Sequence, residues 1–264
     1  MAAESATPTL LSSIAAILQA VAWPLVALVF FVLYRRRISS LLDIFGEKLS
    51  EATRFKAWQL ELDSTTEDIR QVVEKASNTA DPDHTLGIVS RSQIAAAEEV
   101  RDRIHNSPIP DARALPAVRD QLYALIQEYD DARRNLQPGF VRTKKMTGIV
   151  AGMRALSLAA LSLLAQLTGE KSTGARLAAI CMLQISPDPD YFDWLIERLK
   201  HEDQAFVLCQ AAVAVLELVQ SGKLKDKVKA NKAISEAIQH ISGYNGHPDQ
   251  NTLEILQSAL AKLG

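Results

Sequence analysis

Arg142, Lys144 and Lys145 stand together at the start of a long Ala/Leu-rich stretch. Exposed N–H groups and the helix dipole at such an end favour negative charge. The chemistry they point to is contact with a phosphate or an acidic partner; the competing reading is a polar elbow between two helical parts. A denser run comprises Lys223, Lys225, Lys227, Lys229 and Lys232. On a helix these lysines spread around the axis, so a solvated face is expected there and not a nucleic-acid stripe.

Other reactive residue types are sparse. The 5 histidines are His84, His105, His201, His240 and His247, and none stands four residues from another. His240 and His247 flank a Gly-containing turn, where surface histidines are expected and a metal site is not. Cys181 and Cys209 lie in apolar helical patterns with no C-x-x-C, which predicts two small core residues. Glu98-Glu99 and Asp130-Asp131 read as solvated helix faces. Phosphate-binding loops, dinucleotide fingerprints, zinc-protease motifs and nucleophile elbows are all missing. The sequence therefore predicts no cofactor, no metal and no enzyme.

These residues must be positioned by helices. Ala and Leu dominate the 264 residues, aromatics are 6%, and β-branched runs are rare. That composition predicts an all-α protein. A net charge of -2 creates no field that would collect nucleic acid.

Residues 10–33 are one apolar run, closed by Arg35, Arg36 and Arg37. Residues 14–33 alone are long enough to cross a hydrocarbon core of about 30 Å. Gln19 and Pro24 are their only non-apolar interruptions. A transmembrane helix is expected over residues 10–34. A cleaved signal would carry its basic residues before the run and a small-residue cleavage site after it. No Lys or Arg precedes Arg35, so the positive-inside rule places residues 1–9 outside and the rest in the cytoplasm. The expected location is the inner membrane, as a single-pass protein.

Beyond the run, a juxtamembrane amphipathic segment is expected over residues 35–63. Ile38, Leu42, Phe45, Leu49 and Ala52 make a short heptad-like stripe, suited to self-association or to the membrane surface. Residues 58–63 alternate apolar and polar, as a short strand or a frayed helix end would. A helical domain follows over residues 64–140. Its first helix opens with a Ser64–Glu67 capping box and runs to about residue 76; others are expected over about 90–105 and 116–136. From residue 141 to 264 the chain is richer in Ala and Leu. One continuous helix is expected over about 143–167, ended by Gly169, and further helices over about 174–185, 190–200, 204–220, 225–241 and 252–263.

Ala178-Ala179 with Leu183 corresponds to Ala211-Ala212 with Leu216, 33 positions later. Between them lie an aromatic helix, residues 190–200, and an acidic turn at Glu202-Asp203. This pattern resembles HEAT and armadillo repeats, mainly over residues 174–222. Phe206-Val207 replaces the Val-Arg pair usual in that family. The resemblance implies a HEAT-like α-solenoid in which small alanines let paired helices approach; a plain helical bundle is the alternative. The run Tyr129, Arg133, Pro138-Gly139, Arg142-Thr143, Met146 and Met153-Arg154 is also similar to helical modules of bacterial signalling and conflict-system proteins. That similarity implies an interaction or sensing module.

The expected function is therefore a membrane-anchored scaffold, adaptor or sensor that binds a protein partner, with homo-oligomerisation through the anchor open. The alternative is a membrane effector whose assembled anchors perturb the bilayer, with Ser12, Ser13 and Gln19 at the helix interface.

Overall fold

The computed structural model describes residues 64, 66–80, 88–106, 111–243 and 250–264. All belong to one compact unit spanning Leu60–Gly264. The apolar run, Arg35 to Arg37, the juxtamembrane stripe and the candidate strand at 58–63 lie outside the described residues.

The described residues form helices and no strand. The first, α1, covers residues 66–78. It is followed by α2 (Arg91–His105), α3 (Asp111–Asn135) and α4 (Phe140–Leu156). A 3₁₀ turn, Leu161–Leu163, leads into the short α5 (Leu164–Gly169). Then come α6 (Thr173–Ile185), α7 (Phe192–His201), α8 (Ala205–Gln220), α9 (Lys227–Ser242) and α10 (Gln250–Leu263).

Several starts are fixed by side chains. The Ser90 hydroxyl accepts from the Gln93 N–H (3.3 Å), while Gln93 Oε1 accepts from the Ser90 N–H (3.2 Å), a capping box for α2. Ser172 caps α6 and Asp226 caps α9 in the same way, each accepting from a backbone N–H three residues on. α3 starts five residues before the expected Pro116. Pro116 falls in its second turn, where the missing N–H costs a single backbone hydrogen bond.

Helices α4, α6, α8 and α10 pack side by side in chain order, and α2 lies against α4. α3 packs on α4 and α6, α5 on α6, α7 on α8, and α9 on α7 and α10. A single hydrophobic core draws on residues before and after the α3–α4 turn, from Ile69 and Tyr129 to Leu183 and Leu256. Ala178, Ala179, Ala211 and Ala212 are all buried where α6 meets α8. Among the described residues no single helix is long and apolar enough to cross a membrane.

The expected continuous helix over 143–167 is corrected: α4 ends at Leu156, and the chain turns by 105° before α5. The Ser157 hydroxyl donates back to the Met153 carbonyl (2.9 Å), and the Ser157 N–H goes to Arg154, three residues back. The ladder tightens and stops there. The turn lets Leu156, Ala160, Leu163 and Leu167 reach the same core. A segment apolar on all sides carries no periodic signal for such a stop.

Spacing within residues 190–200 predicts a core face of Tyr191, Trp194, Leu195 and Leu199, and α7 departs from it at Trp194. Its buried face is Phe192, Leu195, Ile196 and Leu199, at helical spacing, whereas Trp194 is half-buried. The indole Nε1–H donates to the Thr168 carbonyl (3.2 Å) at the end of α5, and the Arg198 guanidinium lies 5.7 Å from the ring centre. An indole needs a partner for its N–H, which favours the rim over the centre of an apolar layer.

Candidate functional site

The three basic residues predicted to act together lie at the α3–α4 corner. The turn depends on Gly139, whose φ of 146° is open to glycine and costly for other residues. α4 starts directly after it. Phe140 is 65% exposed and Val141 71%, both large for such positions.

Lys144 and Lys145 line one groove between α1, α3 and α4, about 660 Å³ in volume, together with Arg70, Glu74 and Glu128. Lys145 is ion-paired with Glu128. Arg142 is separate from this pair: its Nη1–H donates to the Leu136 carbonyl (3.4 Å), closing the corner. Close approach of α1 to α4 leaves little room beside Gly148, which lines the groove: a Cβ there would stand 3.0 Å from the Ser77 carbonyl oxygen. One at Gly152, four residues on, would stand 2.8 Å from the Ser77 hydroxyl. The corner is also electrostatically one-sided. Residues 132–169 contain no Asp or Glu, and Arg133, Arg134, Arg142, Lys144 and Lys145 lie within them.

A second polar cluster lies in the core. Arg154 on α4 is 1% exposed. Its Nε–H donates to Gln184 Oε1 (2.7 Å), its Nη1–H to Gln93 Oε1 (2.7 Å) and its Nη2–H to Gln210 Oε1 (3.1 Å). Gln184 Nε2–H donates onward to the Gln210 carbonyl (2.7 Å). Four helices, α2, α4, α6 and α8, are thus joined at one guanidinium. Among the described residues no carboxylate forms an ion pair with it.

Burial pulls the Arg154 guanidinium below its ordinary value. Burial also pushes the Cys181 thiol up to about 12, against the opposing pull of Arg154. Cys181 and Cys209 are both buried, suited to packing and not to nucleophilic attack. Nearby, the half-buried Glu217 carboxyl accepts the Val89 N–H; burial raises it above the ordinary carboxylate value.

A third cluster surrounds Tyr129. Its hydroxyl donates to Gln204 Oε1 (3.1 Å), its ring stacks on Phe206 with centroids 6.2 Å apart, and burial raises the phenol well above its ordinary range. Arg176 grips Glu202 with two bonds of 3.0 and 3.1 Å, and the Glu202 side chain is only 2% exposed. Asp130, expected to be a solvated residue, is instead half-buried at the start of α6. Its Oδ1 accepts the Gly174 N–H (3.0 Å), and its Oδ2 accepts the Ser172 hydroxyl (2.7 Å). Asp131 does face solvent, paired with Arg134.

The lysine run disperses: Lys229 pairs with Asp193, Lys232 with Glu236, and Lys223 Nζ donates to the Pro187 carbonyl. His240 Nε2 is 2.8 Å from the Lys200 carbonyl, and residue 247 lies outside the described residues. Among the described residues no group of three His, Cys, Asp or Glu is placed to hold a metal ion.

The sequence singled out the basic corner but missed Arg154 and the Asp130 cap. Each had a signal. Arg154 is the one charge within an otherwise apolar stretch, and Asp130 lies on the α3 face next to the core residue Tyr129. Comparison with models of known protein families, with curated proteins and with solved structures finds no match.

Proposed function

We propose that the protein is a membrane-anchored helical adaptor, whose cytoplasmic α-solenoid binds a protein partner at the inner membrane. The observation that carries this reading is the packing of α4, α6, α8 and α10 in strict chain order, with α3, α5, α7 and α9 against them. In an α-solenoid each helix pair contacts its neighbours and successive pairs build an extended binding surface. The buried alanine pairs of α6 and α8 fit that reading, because small residues let repeat helices approach. The anchor is read from residues 10–34, oriented by Arg35, Arg36 and Arg37. Tethering raises the effective concentration of a binding surface at the bilayer.

The test is photo-crosslinking of the full chain in native membranes, from exposed positions along α10 such as Glu254 and Gln257, with mass spectrometry of the products. Crosslinks that converge on one protein from neighbouring positions are expected. Scattered products, or leakage of expressing cells without any crosslink, would favour the effector instead. Topology is checked separately by labelling a cysteine placed at Ser5 with an impermeant reagent on intact cells. Protection at that site reverses the assigned orientation.

A further inference from the structure

We propose that the α3–α4 corner docks onto an anionic lipid bilayer, with Phe140 and Val141 entering the headgroup boundary and the surrounding cations facing lipid phosphates. The proposal rests on the membrane-anchored reading above.

Two observations carry it independently. The first is apolar. The large exposed hydrophobic residues among the described ones are Ile88, Ile94, Phe140, Val141, Leu161 and Val228, and Phe140 and Val141 are the adjacent pair. They stand on the first turn of α4, directly after Pro138-Gly139, so they project at the tip of a helical corner. Side chains at a helix start lean toward its N-terminal end, here outward from the tip.

The second is electrostatic. Five basic side chains (Arg133, Arg134, Arg142, Lys144 and Lys145) flank the pair on both sides. The nearby carboxylates Glu74, Glu128, Asp130 and Asp131 are each engaged: Glu74 with Arg70, Glu128 with Lys145, Asp131 with Arg134, and Asp130 with the start of α6. The corner therefore keeps an excess of positive charge around an apolar tip. Apolar residues at a tip with a basic surround is the composition that binds the interface of an anionic bilayer.

A protein groove would suit the apolar pair, but it does not explain why the surface stretch from 132 to 145 holds five basic residues and no acid. The cytoplasmic leaflet is the negatively charged surface nearest to a chain tethered by residues 10–34. Neither signal alone makes a stable attachment; a weak second contact added to an anchor does.

The experiment uses the full chain in nanodiscs of phosphatidylcholine, alone or mixed with phosphatidylglycerol. A Gln137→Cys substitution carries an environment-sensitive NBD dye beside the tip. Blue-shifted emission is expected in the anionic discs, with severalfold stronger quenching by spin-labelled lipid than in neutral discs. High salt, Lys144→Glu, or Phe140→Asp with Val141→Asp should each abolish the difference. Equal emission in both lipids overturns the proposal. So does loss of the shift on adding inorganic phosphate alone at constant ionic strength, which would mark a small-anion site. A crosslink from position 137 to a protein and not to lipid in native membranes also overturns it. Retention of the chain in the discs through an alkaline wash reports on the anchor separately. Loss of retention refutes the anchor, whereas retention without a dye shift refutes only the docking.

Discussion

Gln93 Oε1 sits 2.7 Å from Arg154 Nη1 and 3.2 Å from the Ser90 N–H, so one amide oxygen both caps α2 and holds the buried guanidinium of α4. Few apolar side chains of α2 are buried; Ala97 and Val100 are the ones within the core. Ala96 and Ile104 add partly buried contacts, so the Gln93–Arg154 bond is one polar tie within an otherwise apolar attachment.

Arg154→Met should destabilise the domain by about 2–5 kcal/mol, because Gln184 Oε1 loses its donor and Gln93 Oε1 and Gln210 Oε1 each lose a charged one, keeping only the Ser90 N–H and Gln184 Nε2–H. Adding Gln93→Leu, Gln184→Leu and Gln210→Leu to that variant should recover much of the loss, since an apolar cluster of similar volume leaves no buried side-chain polar group orphaned and forfeits only the acceptor of the Ser90 N–H at the α2 cap. Denaturant unfolding of the four-site and single-site variants measures this. Additive losses would show that the network is not a unit.

Gly174 and Gly152 should respond differently to alanine. A Cβ at Gly174 would stand 2.6 Å from the Ile126 carbonyl oxygen, which α3 cannot easily move. A loss of about 1–3 kcal/mol is expected. At Gly152 the nearest obstacle is the Ser77 hydroxyl, which can rotate, and alanine favours a helix interior by up to about 1 kcal/mol. Thermal unfolding should place Gly152→Ala near the parent and Gly174→Ala well below it; the reverse order would contradict the α3–α6 geometry.

Asp130→Ala should cost about 1–2 kcal/mol, as for a lost helix cap, while Asp131→Ala should cost far less. The two carboxylates are neighbours in sequence, but only Asp130 holds the start of α6. Equal effects on the unfolding midpoint would argue against that assignment.

Glu217 predicts a pH dependence. Its carboxyl is raised above the ordinary value of 4.5 chiefly by burial, opposed by the Val89 N–H, Arg154 and Lys262. The folded state thus binds its proton more tightly than the unfolded chain. Its contribution to stability falls as pH rises from about 4.5 through the folded value, and the loss is complete above that value. Glu217→Gln keeps an acceptor for Val89 and removes the titration. The variant should gain in melting temperature relative to the parent as pH rises through that window. Parallel curves across the acidic range would show that Glu217 does not titrate with folding.

Helix content and the approximate positions of α2, α3 and α6 to α10 were legible, because each has its own amphipathic stripe, cap or flanking turn. The segment from 143 to 169 was not. Its apolar residues lie on every side, and the stop at Ser157 depends on a hydroxyl returning to the Met153 carbonyl, an option that serine has in any helix. In α7 the stripe Phe192, Leu195, Ile196 and Leu199 was present, but the size of Trp194 drew attention to the adjacent face. At the corner, the identity of the basic residues was readable and their separation was not. Arg142 turns to Leu136 while Lys145 turns to Glu128, and partners at that distance along the chain follow from the fold alone.

Arg154 also has a consequence before the domain exists. Residues 146–167 form a second mostly apolar stretch of spanning length, less apolar than residues 14–33; on the anchored reading proposed above, a chain being threaded into a bilayer presents both unfolded. Residues 14–33 carry no charge, whereas residues 146–167 carry one, at position 154. An arginine near the middle of a would-be span opposes insertion by about 2.5–3.5 kcal/mol. On that anchored reading, the residue that is awkward to bury in the finished core also disfavours insertion of residues 146–167.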